Sequence, residues 1–343
     1  MSFKYKVLSL DGGGIRGIIP AIILKEIEKR TQKRIWELFD LIAGTSTGGF
    51  LAMILTIPNP DNPNTARYSM EEIINMYRED GKHIFHEPFL ESLTDADDLL
   101  RPKYPSKGRQ RVAEKYFKDV ALADALTNIF ITSYDIELRV PVFFINNPTF
   151  ERHSGTSFRK LCSEYKMIEA AMATSAAPTF FEPYKLAIRG CDDCGDYALV
   201  DGAMFANNPT ALAIVEAVIY SQNNGKEIRL EDILVTSIGT GSLTRKFPYN
   251  EAVNWGKLQW ILPLINIFLD GASEVANYQL RQLLPDAQNI HKQYYRFQKE
   301  LTEANDDLDD TTEENMELLE KAANTIITDQ SREFDKLCKQ LLA

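Results

Sequence analysis

A three-layer α/β/α sandwich with a mainly parallel central sheet is the fold class this sequence predicts, on three observations. The chain opens strand, glycine turn, helix, then repeats the unit with a second glycine turn. Further strand candidates follow at intervals filled by helical periodicity. Strands that alternate with helices build a parallel sheet covered on both faces, with ligands beyond the carboxyl ends of its strands.

Lys6–Leu10 reads as the first strand, Asp11 to Gly17 as a turn, and Ile18 to about Arg30 as a helix with Ile19, Ile22, Ile23 and Ile27 on one face. Leu41-Ile42-Ala43 is a buried strand and Phe50–Leu55 a buried helix. Residues 58–68 read as a loop, Met70–Asp80 as a helix, and the polar stretch 94–110 as a cap or lid. Asn128–Tyr134, Val140–Ile145, Tyr197–Val200 and Ile233–Ile238 are strand candidates. Beyond about residue 251 the pattern is helical, interrupted by the acidic patch Asp306, Asp307, Asp309, Asp310, Glu313 and Glu314. There is no repeat or low-complexity linker. A core over 5–212, continued through 213–343 by a helical extension of the same domain, is the expected organisation.

The chain has 343 residues, 44% of them hydrophobic and 25% charged, which suits a soluble globular protein with a substantial core. Its net charge of −11 disfavours nucleic acid as a partner and any general attraction to anionic membranes. Met1–Lys6 runs straight into a strand, leaving no room for a signal peptide. The apolar run Ile261–Leu269 is too short to span a bilayer and contains Pro263 and Asn266. A cytoplasmic location with transient membrane association is expected. Trp255 and Trp260 beside that run suit either core packing or a membrane interface. The four cysteines make no disulfide scaffold. Cys191-Asp192-Asp193-Cys194 has the spacing of half a zinc site but lacks a second pair, and reads as a loop.

Gly44-Thr45-Ser46-Thr47-Gly48 is a G-x-S-x-G box between a strand and a helix. So sharp a reversal holds the serine in a strained conformation with its hydroxyl presented outward. Gly44 and Gly48 remove the Cβ atoms that would collide there, and the helix aims its N-terminal dipole at the serine oxygen. That arrangement suits a nucleophile.

Asp11-Gly12-Gly13-Gly14-Ile15-Arg16-Gly17 lets bare N–H groups converge on an anion, either a phosphate or the oxyanion of an acyl-transfer intermediate. The spacing Gly12-x-Gly14-x-x-Gly17 matches the dinucleotide fingerprint. That fingerprint wants an acidic residue at the end of the second strand, where this chain places Ser46, while Asp40 precedes the strand. An oxyanion hole is the better reading, and a nucleotide-binding protein the alternative.

A serine nucleophile needs a base. His83, His86, His153 and His291 sit in no evident strand-end turn, and the His83–His86 spacing reads as solvated helix-end residues rather than a metal site. Asp201-Gly202-Ala203 follows the strand Tyr197–Val200, placing a carboxylate on the sheet edge of Ser46 and the glycine loop. Asp201 is the leading base.

Asp-Gly-Gly-Gly-Ile-Arg-Gly, Gly-Thr-Ser-Thr-Gly-Gly and Asp-Gly-Ala together resemble the patatin-like phospholipases. Thr174–Phe181, Leu234–Gly241 and Glu314–Leu319 are also similar to plant patatins, so the resemblance runs from about residue 5 to about residue 320. It implies a fold related to the cytosolic phospholipase A2 core and a lipid acyl hydrolase with a Ser–Asp dyad. Ser46 would be the nucleophile and Asp201 the base. The amides of Gly12, Gly13 and Gly14 would hold the oxyanion, with Arg16 either shaping that loop or pairing with a structural carboxylate. No metal and no organic cofactor is implied. The substrates would be phospholipids or glycolipids at a membrane or micelle interface. The resemblance extends to bacterial relatives switched on by cyclic nucleotides in antiphage defence, so such an effector is a second alternative. The missing signal peptide and the Cys191–Cys194 insertion are departures that leave the catalytic turns intact.

Overall fold

The computed structural model describes residues 3–85, 101–147, 157–190, 195–242, 244–284 and 292–343. Strand β1 (Tyr5–Leu10) leads through a 3-10 turn (Gly14–Gly17) into α1 (Ile18–Thr31), a short α2 (Ile35–Leu38), β2 (Leu41–Thr45) and α3 (Thr47–Ile54). The region expected as a loop carries a small hairpin, β3 (Pro58–Asn59) with β4 (Asn62–Ala66). Then come α4 (Met70–Ile84), α5 (Ser106–Phe117), β5 (Asn128–Asp135), β6 (Val140–Ile145), β7 (Arg159–Leu161), α6 (Met167–Thr174), β8 (Tyr184–Ala187) and β9 (Asp196–Asp201). The chain closes with α7 (Ala203–Ala206), α8 (Thr210–Asn223), β10 (Ile233–Ile238), α9 (Tyr249–Ala252), α10 (Ile261–Leu283), β11 (Tyr294–Phe297), α11 (Glu313–Asp329) and α12 (Ser331–Leu341).

The main sheet runs β11-β10-β1-β2-β5-β6-β7, and β9 pairs with both β5 and β8. The pairings from β11 through β5 are parallel. Alternate residues of these strands enter two cores, one on each face. Leu8, Ile42, Ile131 and Leu234 join the larger core with α1, α3, α4 and α11. Val7, Ala43, Phe130 and Val235 join the smaller one with Ala213 and Ala217 of α8 and Leu280 of α10. This period-two division, apolar on both sides, is what a covered parallel sheet requires.

The sheet departs from expectation at β9. It runs antiparallel to β5, pairing Asp201 with Ser133 and Leu199 with Asp135. Asp201 still reaches the level of Ser46, because β5 pairs Thr132 with Thr45 and then continues past the end of β2.

Other parts of the chain add detail to the expected pattern. Strand β11 interrupts the helical C-terminal region as the sheet's edge next to β10. Strands β7 and β8 are short pieces within a polar segment. Residues 94–100 of the expected cap lie outside the described residues, and its end is the start of α5. In the acidic patch, Asp306 and Asp307 pair with Arg245, and Asp309 with Lys103. Among the described residues, no helix is long and apolar enough to cross a membrane.

Candidate active site

Ser46 sits between β2 and α3 with φ 55° and ψ −124°, a region that non-glycine residues avoid at a cost of about 1–3 kcal/mol. The surroundings over-determine it. Its backbone N–H donates to Thr174 Oγ1 at 2.8 Å. A Cβ on Gly44 would strike the Gly48 carbonyl, and one on Gly48 would strike the carbonyls of Leu10 and Asp11. The elbow thus packs directly on the end of β1, with space only for glycine.

Asp201 ends β9 and is buried. Its carboxylate accepts a hydrogen bond from the Ala203 N–H at 2.9 Å and interacts with the Ser46 hydroxyl, with which it lines one cavity. Burial pushes its pKa up to about 7, against the lowering effects of the Ser46 hydroxyl, the Ala203 N–H and the Arg109 charge. Such a carboxylate can both take and return a proton near neutrality.

The glycine loop lies across from Ser46, where a Cβ on Gly12 would come within 3.3 Å of the Ser46 Cβ. The Gly12 N–H, expected as an oxyanion donor, donates to the Asn207 carbonyl at 3.0 Å, and the Gly12 carbonyl accepts from Thr240 Oγ1 at 2.8 Å. That amide anchors the loop and is not available to a ligand. Among the described residues, the N–H groups of Gly13 and Gly14 have no acceptor. Gly14 has φ +57°, and the following Ile15 N–H donates to the Leu308 carbonyl at 2.9 Å, so the acidic segment braces the loop.

Arg16 lines a separate polar cavity with Asp11 and Asp270, not the one over Ser46. It is buried, its Nε donates to the Gly13 carbonyl at 3.3 Å, and desolvation lowers its pKa to about 10 despite the fields of Asp270, Asp306 and Asp307. It braces the loop and, among the described residues, closes no ion pair. Asp11 does close one: Arg296 of β11 donates to both its carboxylate oxygens at 2.9 and 2.6 Å, fully buried.

A cavity of about 100 Å³ opens over Ser46 and Asp201, walled mainly by apolar side chains such as Ile15, Phe50, Val112, Phe181, Ile265 and Leu269. Its polar lining includes Arg109. Local sequence spacing assigns no role to Thr174 or Arg109. Thr174 opens one of the patatin-similar stretches, whereas Arg109 lies in a polar stretch with no signature. His83 is exposed on α4, and His86, His153 and His291 lie outside the described residues, as do Cys191 and Cys194. Among the described residues, no cluster of His, Cys, Asp or Glu could hold a metal ion.

A family model for patatin-like phospholipase matches residues 8–214, which span both glycine turns and the Asp201 strand. The chain belongs to the patatin-like phospholipase family. It is 31% identical to patatin group D-2 of Solanum tuberosum over 94% of its own length and 83% of that protein's. It is 32% identical to patatin-like protein 1 of Arabidopsis thaliana, over 94% and 81%. Among solved structures it is similar to VipD from Legionella pneumophila, with a TM-score of 0.47 and 12% identity over 98% of this chain and 67% of that one. Membership in the patatin-like phospholipases supports lipid acyl hydrolase activity and lipid substrates.

Proposed function

We propose that the chain hydrolyses fatty-acyl esters of phospholipids or galactolipids by two-step acyl transfer on a Ser46–Asp201 dyad. One observation carries this reading: a strained elbow serine and a buried carboxylate, the latter raised by desolvation to a pKa of about 7, line the same apolar cavity. As the Ser46 oxygen attacks the ester carbonyl, its proton passes to Asp201. The N–H groups of Gly13 and Gly14 receive the oxyanion. The carbonyl re-forms, the alcohol leaves with the proton from Asp201, and an acyl-serine remains. Water then gives a proton to Asp201 while its oxygen attacks the acyl group. The second tetrahedral intermediate collapses to fatty acid as Ser46 recovers its proton. The sequence of steps draws on no metal, organic cofactor or histidine.

The same reading gives the lipid surface a place to meet the site. Helix α10 contributes Ile265 and Leu269 to the cavity and exposes Ile261, Leu264, Ile267 and Phe268 outside it. Trp255 packs edge-on against Trp260 at 5.1 Å beside that helix. A half-exposed apolar rim continuous with the cavity suits transient contact with an interface. Mass spectrometry of products from a mixed lipid extract tests the function. Free fatty acids and lysolipids are expected from the native chain, and their absence at every pH and lipid composition tried contradicts it.

A further inference from the structure

The cavity over Ser46 contains a cation that the acyl-transfer steps do not use. Arg109 of α5 is 3% exposed, and its guanidinium lies 4.5 Å over the Phe181 ring. Among the described residues it forms no ion pair within 4.0 Å, an unusual state for a buried charge. Its hydrogen bonds show where it acts. Nη1 donates to the Met172 carbonyl at 3.1 Å and to Ser175 Oγ at 3.2 Å. Between and beside those two residues lie the groups that hold the dyad. Thr174 Oγ1 accepts from the Ser46 N–H at 2.8 Å, and the Ala176 carbonyl accepts from the Asp201 N–H at 3.0 Å. Residues 172–176 therefore fasten both Ser46 and Asp201 by their backbone amides, and Arg109 fastens residues 172–176.

We infer that Arg109 is a positioning residue for ester hydrolysis, clamping the 172–176 segment that aligns Ser46 with Asp201 and placing a buried positive charge in their cavity. This rests on the dyad reading above. The groups facing the Asp201 carboxylate are the Ser46 hydroxyl at the start of α3, the Ala203 N–H of α7 and the Arg109 charge from α5. Arg109 in turn feels Asp201, Glu182 and Tyr184. Burial and this cation oppose one another at Asp201, so deleting the charge shifts the balance toward the protonated, inactive acid. The rival role is an anionic subsite, in which the buried Nε, unpartnered among the described residues, would hold a lipid headgroup.

The test measures kcat and KM of the full chain from pH 5 to 9, on a neutral p-nitrophenyl ester and on anionic phosphatidylglycerol micelles. Arg109→Gln is expected to lower kcat on both substrates by about tenfold or more, with KM for the neutral ester little changed. Its acid limb should move to higher pH. Arg109→Lys keeps the charge and should leave the limb in place with part of kcat restored. Ser175→Ala loosens the clamp alone and should lower kcat severalfold with the limb unmoved. A native kcat and limb in Arg109→Gln overturns the inference. So does a rise in KM confined to phosphatidylglycerol, which assigns Arg109 to headgroup binding. If Arg109→Gln does not fold by circular dichroism, the other two variants decide: an upward limb shift in Arg109→Lys, or native kcat in Ser175→Ala, overturns it. Asp201→Asn measured in parallel separates the two levels. Activity in that variant removes the dyad, whereas its inactivity beside a native-like Arg109→Gln removes only the role of Arg109.

Discussion

The backbone N–H of Ser46 donates to the side chain of Thr174 at 2.8 Å, across the junction of two helices that lie far apart in the sequence. An elbow residue at φ 55° has no helical or sheet partner for that N–H, and the site is buried, so the Thr174 oxygen supplies the missing acceptor. The hydrogen bond fixes the backbone that carries the hydroxyl into the cavity it shares with Asp201.

Thr174→Val keeps the shape and removes the acceptor. Leaving a buried N–H unsatisfied costs about 1–3 kcal/mol. The variant should unfold at lower denaturant concentration, and kcat should fall by about tenfold or more with KM little changed. Paired urea titration and steady-state kinetics check this. Native stability together with native kcat would remove Thr174 from the support of the elbow.

Asp201 gives two opposite pH dependences. As a base it must be ionised, so kcat/KM should rise with pH through an acid limb near 7. For stability the sign reverses. The folded carboxyl holds its proton up to about pH 7, whereas in the unfolded chain it titrates near about 3.9. Folding therefore takes up a proton between these values, and this group's contribution to stability falls as pH rises through the window. Asp201→Asn should be inactive yet melt above the native protein at pH 8, with the difference shrinking toward pH 4. Thermal melts across that range would show a constant gap if the carboxyl were not raised.

Gly13→Ala tests the loop opposite the serine. A Cβ at Gly13 would run into the Thr240 side chain, which is buried and hydrogen-bonded to the Gly12 carbonyl. Either the loop or Thr240 must move, shifting the Gly13 and Gly14 amides. Loss of an oxyanion donor costs about 100- to 1,000-fold in kcat. A fall in kcat of that order, with the Ser46 hydroxyl still reactive toward a fluorophosphonate probe, is the expected pattern. Full turnover would place the oxyanion elsewhere.

Trp260→Ala tests the rim. If α10 and its tryptophans meet lipid, liposome hydrolysis should fall several times more than hydrolysis of a soluble ester. An equal loss on both substrates, or a lowered melting temperature, would assign the tryptophan to packing.

How much of this was legible follows the range of each interaction. The two glycine turns and the strand ending at Asp201 stand out locally, because a strand-to-helix reversal around a serine and a bare-amide loop each demand particular residues within a few positions. The strands bearing them are legible from their apolar runs. Strand β11 is not: it is a short edge strand whose Arg296 looks like a surface charge until Asp11, 285 positions away, pairs with it. Gly12 looks like a donor equal to its neighbours, and only the Asn207 carbonyl shows that its amide is engaged. Thr174, Arg109 and Leu308 act on the site through contacts between distant segments, which local spacing does not encode. The antiparallel course of β9 is likewise a property of pairing, not of its own residues.

The dyad itself is tested most directly by kcat on a p-nitrophenyl ester for Ser46→Ala, Asp201→Asn, the double variant, and alanine variants of His83, His86, His153 and His291. Each dyad substitution should lower kcat by about a thousandfold or more, and the double variant should be little worse than either, because the two residues act as one unit. All four histidine variants should fold and turn over like the native chain. Collapse of kcat in any one of them, with Asp201→Asn still active, would contradict the dyad and put a histidine in its place.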